Sequence, residues 1–187
     1  MQVILDQPIV EQDRSSVKYG GFWPRLGALL LDGLILSPLT FGVTFFNITE
    51  WKSTALMVVV TLAGIAYKPF MEYSYGATLG KMALRLKVVD LNFGRADIGK
   101  ILLRNVFNIV PAVLTLLLSI GMYMDPGFED ITGFMEYSAF SQQFSAIQYV
   151  SYCNSLIAIV EAIMLAVDDQ KRALHDRIAG TYVIEGR

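Results

Sequence analysis

The sequence predicts an all-α integral membrane protein: four transmembrane helices, both termini cytoplasmic, and a small cytoplasmic β element built from the middle loop and the C-terminal tail. Three observations carry that prediction. The 187 residues are 54% hydrophobic and only 17% charged, with a mean hydropathy of +0.48, where a soluble domain has roughly 45–50% apolar and about 25% charged residues. Four stretches reach the roughly 20 apolar residues that cross a hydrocarbon core about 30 Å thick. The basic residues also avoid alternate connections. Of the 15 Lys and Arg residues, Lys52 alone lies in the links Asn47–Lys52 and Asp125–Gln143, while the second link holds Asp125, Glu129, Asp130 and Glu136. Cytoplasmic loops collect Lys and Arg, so the alternation fixes four spans and the cytoplasmic placement of both ends.

The spans are read as residues 22–46, 53–73, 105–124 and 147–167, within a membrane domain of residues 19–187 that follows an N-terminal tail of residues 1–18. Helix is required because lipid offers no partner to an open backbone group. No cleaved signal peptide is expected before the first span. In the middle loop, Gly76–Leu84 reads as the start of a short interfacial helix, and Leu86–Asp90 alternates as a half-buried strand does. Thr181–Ile184 is a second β-prone run. Two such edges in one compartment are expected to pair, bringing His175 and Asp176 to the inner mouth of the bundle. Asp176 is then expected to cap a helix start or to meet Arg25 or Arg104. Asn47-Ile48-Thr49 matches a glycosylation acceptor.

Charge within the spans carries the chemistry, because an ionisable group in the membrane is costly and normally has a partner or a task. Arg25 opens the first span and Asp32 follows seven residues later, about 10.5 Å along the axis. Helical side chains lean toward the N-terminus, so Arg25 points away from Asp32. Asp32 therefore needs a partner from another helix, a bound cation or a proton. Glu161 lies at a similar depth in the fourth span. Lys68 can snorkel to that level, and Arg104 and Asn108 open the third span. These residues form the candidate ion, proton or solute site. The plainer readings place Arg25 and Arg104 at lipid phosphates and make Lys68 and Glu72 an i, i+4 surface pair.

Enzyme chemistry finds little support. His175 is the single histidine, which excludes an H-E-x-x-H metal helix, and nothing marks a serine as its nucleophile. Gly76–Met82 is one residue short of a phosphate loop and has Met82 where Ser or Thr belongs. Cys153 cannot build a disulfide framework within the chain. No enzyme activity, cofactor or metal is expected, and the net charge of −2 gives no basis for nucleic-acid binding. The acidic outer link carries Phe128, Phe134, Tyr137, Phe140 and Phe144. These aromatics are expected either to dock a partner or to sit at headgroup level as an interfacial helix.

The segment Tyr19–Gly33, with Arg25 and Asp32, resembles the opening of the RDD family of membrane proteins, named for an arginine and two aspartates. Gly76–Lys81 followed by Leu86–Asp90 resembles its central motif, and Lys171–Val183 its closing one. The resemblance assigns the second aspartate to Asp176, ahead of Asp168 and Asp169. It implies a mainly bacterial inner-membrane protein. Relatives are often described as transporters, some linked to cation/proton exchange, and others are membrane partners of proteases or quality-control proteins. Two functions are carried forward. One is a small transporter exchanging a monovalent cation or small polar solute for protons through buried carboxylates, as a homo-oligomer because four helices enclose little. The other is a scaffold or regulatory subunit that binds a membrane protein partner through the outer link.

Overall fold

The computed structural model describes residues 17–186. Its elements in chain order are α1 (Phe22–Phe46), α2 (Thr54–Tyr75), α3 (Leu79–Ala83), β1 (Leu86–Asp90), α4 (Ile98–Tyr123), α5 (Phe134–Ser141), α6 (Ser145–Val167), α7 (Leu174–Ala179) and β2 (Thr181–Glu185). A π-helical turn, Asn47–Trp51, extends α1, and a 3₁₀ turn, Pro126–Phe128, follows α4. Four of these helices are long and apolar enough to cross a membrane. Large apolar side chains such as Leu30, Leu34, Leu117 and Ile159 are exposed along them, and apolar surface on that scale marks a face for lipid or protein rather than water.

The first, second and fourth spans agree with the predicted ranges to within two residues. The third starts at Ile98 instead of residue 105, because Asp97 caps it: its carboxylate accepts the Lys100 N–H at 3.0 Å and its carbonyl accepts the Ile101 N–H. Helices α1, α2 and α4 continue through Pro38, Pro69 and Pro111.

The chain forms two compact units. The first comprises the chain up to Gly33, Lys68–Val106 and the chain from Ala158 onward; the second is Leu34–Tyr67 with Phe107–Ile157. In the first unit, β1 and β2 pair antiparallel as expected, with Leu86 opposite Glu185 and Asp90 opposite Thr181. The chain just before α1 lies along the other edge of β2. Tyr19 bridges Ile184, Gly20 N–H donates to Val183 O at 2.9 Å, and Glu185 N–H donates to Lys18 O at 2.8 Å. The period of two of a strand buries both sheet faces. Leu86, Val88 and Val183 pack with Ala28 of α1 and with Ala96 and Ile101. Val89, Tyr182 and Ile184 pack with Phe93, whose ring lies parallel to that of Tyr182 at 5.6 Å.

In the second unit the acidic link folds into a cap. Phe128 is fully buried with Met122, Tyr123 and Ile131, and Tyr137, Phe140 and Phe144 close around it. The Phe128 and Tyr123 ring centroids are 4.0 Å apart. This corrects the expectation of a docking surface for Phe128: its ring is the core of the cap, and Phe140 packs edge-on against it. Phe134, in contrast, is exposed. The glycosylation reading of Asn47 also fails, because Asn47 is buried and its amide binds both Ser53 N–H and Ser53 O.

Candidate functional site

In the first unit, side chains from α1, α2, α3, α4 and α7 meet in a sealed chain of alternating charge. Asp176, at the start of α7, is fully buried. One of its oxygens accepts from Arg25, and the other accepts from Arg104 and from the Thr181 hydroxyl. It also caps α7 through the Ala173 N–H at 3.1 Å. Arg25 is held further by the carbonyls of Gly20 at 2.8 Å and Lys171 at 2.6 Å. Arg104 then reaches Glu72 at 3.2 Å, and Glu72 in turn binds Lys81 and the Asn105 amide. Asp176 thus does both things expected of it, capping a helix and meeting the two arginines.

Burial and the sequence of signs explain why this chain holds together. A lone buried charge costs several kcal/mol, and pairing offsets that cost only where geometry and hydrogen bonds are complete. Each arginine here lies beside a carboxylate, and each of these two carboxylates accepts from two cations. Lys81, outside the spans, still sits below the ordinary lysine range because burial disfavours its charge, while the Glu72 carboxylate draws it back up.

Asp32 is placed elsewhere. Its carboxylate accepts the Thr78 hydroxyl at 2.6 Å and the Gly80 N–H at 2.8 Å, so it lies over the first turn of α3. The partner is a loop helix rather than another span. Gly80 makes this approach possible: a Cβ there would lie 2.0 Å from the Ala28 carbonyl oxygen and 2.9 Å from Asp32 N. The lysine stem of the Gly76–Lys81 segment then runs inward to Glu72.

Glu161 has a different environment. It accepts from His175 Nδ1 at 2.6 Å, and its side chain is about one-fifth exposed. His175 is nearly buried, and burial pushes its imidazole down to about 3, against the opposing pull of the Glu161 hydrogen bond. The ring is therefore neutral near pH 7 with its proton on Nδ1. Its Nε2 lies 3.6 Å from Asp176. Lys68 is half-buried on the same unit, and no hydrogen bond or ion pair reaches it among the described residues, although the charges of Glu72, Glu161 and Asp32 act on it at longer range.

The structure brings Arg25, Arg104 and Asp176 into one network and sets Asp32 and Glu161 beside other partners. It does not bring in Asn108, which is exposed and belongs to the second unit; the asparagine of the network is Asn105, fully buried one turn earlier. Glu72 and Lys81 complete the network and were not among the expected site residues. Glu72 is no surface partner of Lys68, because it is 2% exposed. The available signal was Glu72 itself, an acid at the inner end of an apolar span. Asp168 binds Arg172 and Arg177, and Asp169 is exposed, so Asp176 is the aspartate within reach of Arg25.

Four lipid-length helices, three of them (α1, α2 and α4) tied together by a buried ion network, define a multi-pass membrane protein. The family model described as the RDD family matches residues 19–180, and the chain belongs to that family. Neither the comparison with curated proteins nor that with solved structures gave a match.

Proposed function

We propose that the protein is a small transporter, not an enzyme, that couples movement of a solute to protons at Glu161, with the Arg25–Asp176–Arg104–Glu72–Lys81 network as its fixed frame. The observation that carries this reading is the division among the carboxylates. Asp32, Glu72 and Asp176 are each held by two or more protein donors, whereas Glu161 accepts from one neutral imidazole and leaves about one-fifth of its side chain uncovered. A cation would have to displace arginine or backbone N–H groups at the first three. A proton needs only the free face of Glu161, and His175 supplies a neutral N–H that stabilises the carboxylate once the proton has left. The protein works as an oligomer in a bacterial inner membrane, with its basic loops and both termini in the cytoplasm.

Proteoliposomes with a trapped pH-sensitive dye test this. Gradients of sodium, potassium or glycerol should drive proton flux through the native protein, and Glu161→Gln should lower that flux at least tenfold at unchanged folded yield. Flux equal to that of empty liposomes across the panel overturns the reading.

The completeness of the ion network also favours a second function, a membrane scaffold or regulatory subunit. Its contact surface would include exposed Phe134 and its neighbour Met135 rather than the buried Phe128. A stoichiometric protein partner retained in mild detergent, together with no flux, would select it.

A further inference from the structure

The second unit contains a cavity of about 150 Å³ lined by Thr44, Asn47, Thr61, Thr115, Ser119 and Tyr137, with apolar side chains between them. No Asp, Glu, Lys or Arg contributes to that lining. Its hydroxyls are little engaged by the protein itself. Ser and Thr in a membrane helix commonly turn back onto a carbonyl one turn earlier, and Thr40 and Ser155 do so, toward Leu36 O and Ser151 O, both at 3.0 Å. Among the described residues no hydrogen bond is formed by the hydroxyls of Thr44, Thr115 or Ser119, and that of Thr61 meets only the Met57 sulfur at 3.9 Å. Asn47 is already committed to Ser53. Thr44, Thr115 and Ser119, from two helices, thus keep donor and acceptor capacity at one cavity, and Thr61 of a third gives its proton only to a weakly accepting sulfur.

An apolar cavity of this size takes up a benzene-sized molecule, which sets the scale at about six heavy atoms. A hydroxyl is both donor and acceptor, so it can serve either polarity of an uncharged ligand. A full charge would find no counter-ion in the lining. We infer that this cavity binds a small, uncharged polar molecule of polyol or amide type, and that it is the solute site of the transport reading above. The inference rests on that reading for its purpose, but the binding itself can be measured apart from any flux.

Saturation-transfer NMR on the protein in lipid nanodiscs, with glycerol as probe, tests it. The native protein should transfer saturation to the glycerol C–H protons. Ser119→Leu and Thr115→Leu, which fill the cavity with apolar atoms, should each reduce the effect at least fivefold, with thermal midpoints confirming that both variants fold. Sodium and methylammonium chloride should leave the glycerol signal unchanged. Glu161→Gln protein should bind glycerol as the native protein does, and native protein that binds glycerol without any proton flux removes the coupling reading alone. No transfer to glycerol, equal transfer in the leucine variants, or displacement by either cation overturns the inference, the first marking the cavity as a place for water.

Discussion

Asp32 and Glu161 are both carboxylates within apolar helices, and only their neighbours separate their roles. Asp32 works as a cap, which the chain alone did not reveal because its donors, Thr78 and Gly80, lie in a loop nearly fifty residues away. Asp32→Asn keeps one acceptor but loses the charge at the first turn of α3. It should destabilise the protein by about 0.5–2 kcal/mol, as for other lost caps, while flux per folded molecule keeps its pH profile; thermal unfolding in detergent and the liposome assay read the two. An unchanged midpoint with lost flux would return Asp32 to the list of proton sites. His175 gives a prediction of its own. Its folded value of about 3 lies below the ordinary 6.5, so the unfolded chain binds the proton more readily. The stability His175 contributes is complete above about pH 6.5 and is lost as pH falls toward 3, at up to about 1.4 kcal/mol per pH unit. The thermal midpoint should drop across that window, and His175→Gln, which still donates to Glu161, should flatten the drop. The network around Asp176 was legible in part: Arg25 and Arg104 stand out as charges at span ends, and the expected strand pairing brings Asp176 to them. Glu72 did not, because spacing from Lys68 describes a surface pair as readily as a buried acid, and only the fold says which face turns inward.

Among the elements, α3 shows how a five-residue helix can matter. It is far too short to be stable alone, and it is fixed by Asp32 at its start, Lys81 inside the network and Gly80 flush against α1. Gly80→Ala places a methyl group against backbone that has no room to move, so α3 must lift and both anchors must stretch. Most folded protein should be lost, whereas Gly33→Ala, which meets nothing within 4 Å, should leave yield intact; size-exclusion profiles after mild solubilisation distinguish them. The pairing of β1 with β2 was readable from the alternation of Leu86–Asp90 and the β-prone run at Thr181. The aromatic cap was not. A cluster of Phe and Tyr in a loop has the same composition whether it packs inward or presents a surface. Phe128→Ala should cost about 3–5 kcal/mol, the usual loss for a buried ring, measurable as an earlier unfolding transition.

For the whole molecule, the charge alternation of the loops makes a prediction independent of the site. In a Cys153→Ser background, Asp130→Cys should react with an impermeant maleimide added outside intact cells, and Leu91→Cys should react only after permeabilisation. Both positions are exposed, so failure to label reports sidedness. The reverse pattern would invert the protein and place the ion network at the outer face. The number of spans followed from composition and length, and the association of the two tails with the middle loop follows from the sheet, where residues 18–20, β1 and β2 lie side by side.

Synthesis runs from the N-terminus, and the network closes across the whole length of the chain. Arg25 enters the bilayer long before Asp176 has been made and waits in the nascent protein as an orphan charge that lipid tolerates poorly, while Arg104 must share the single carboxylate of Glu72 with Lys81. Completion of α7 and β2 is the event that neutralises both. The segment from α7 to β2 therefore acts as a seal on biogenesis: chains terminated after residue 170 should insert and then be cleared by proteolysis, and residues 171–187 supplied as a separate fragment should rescue them.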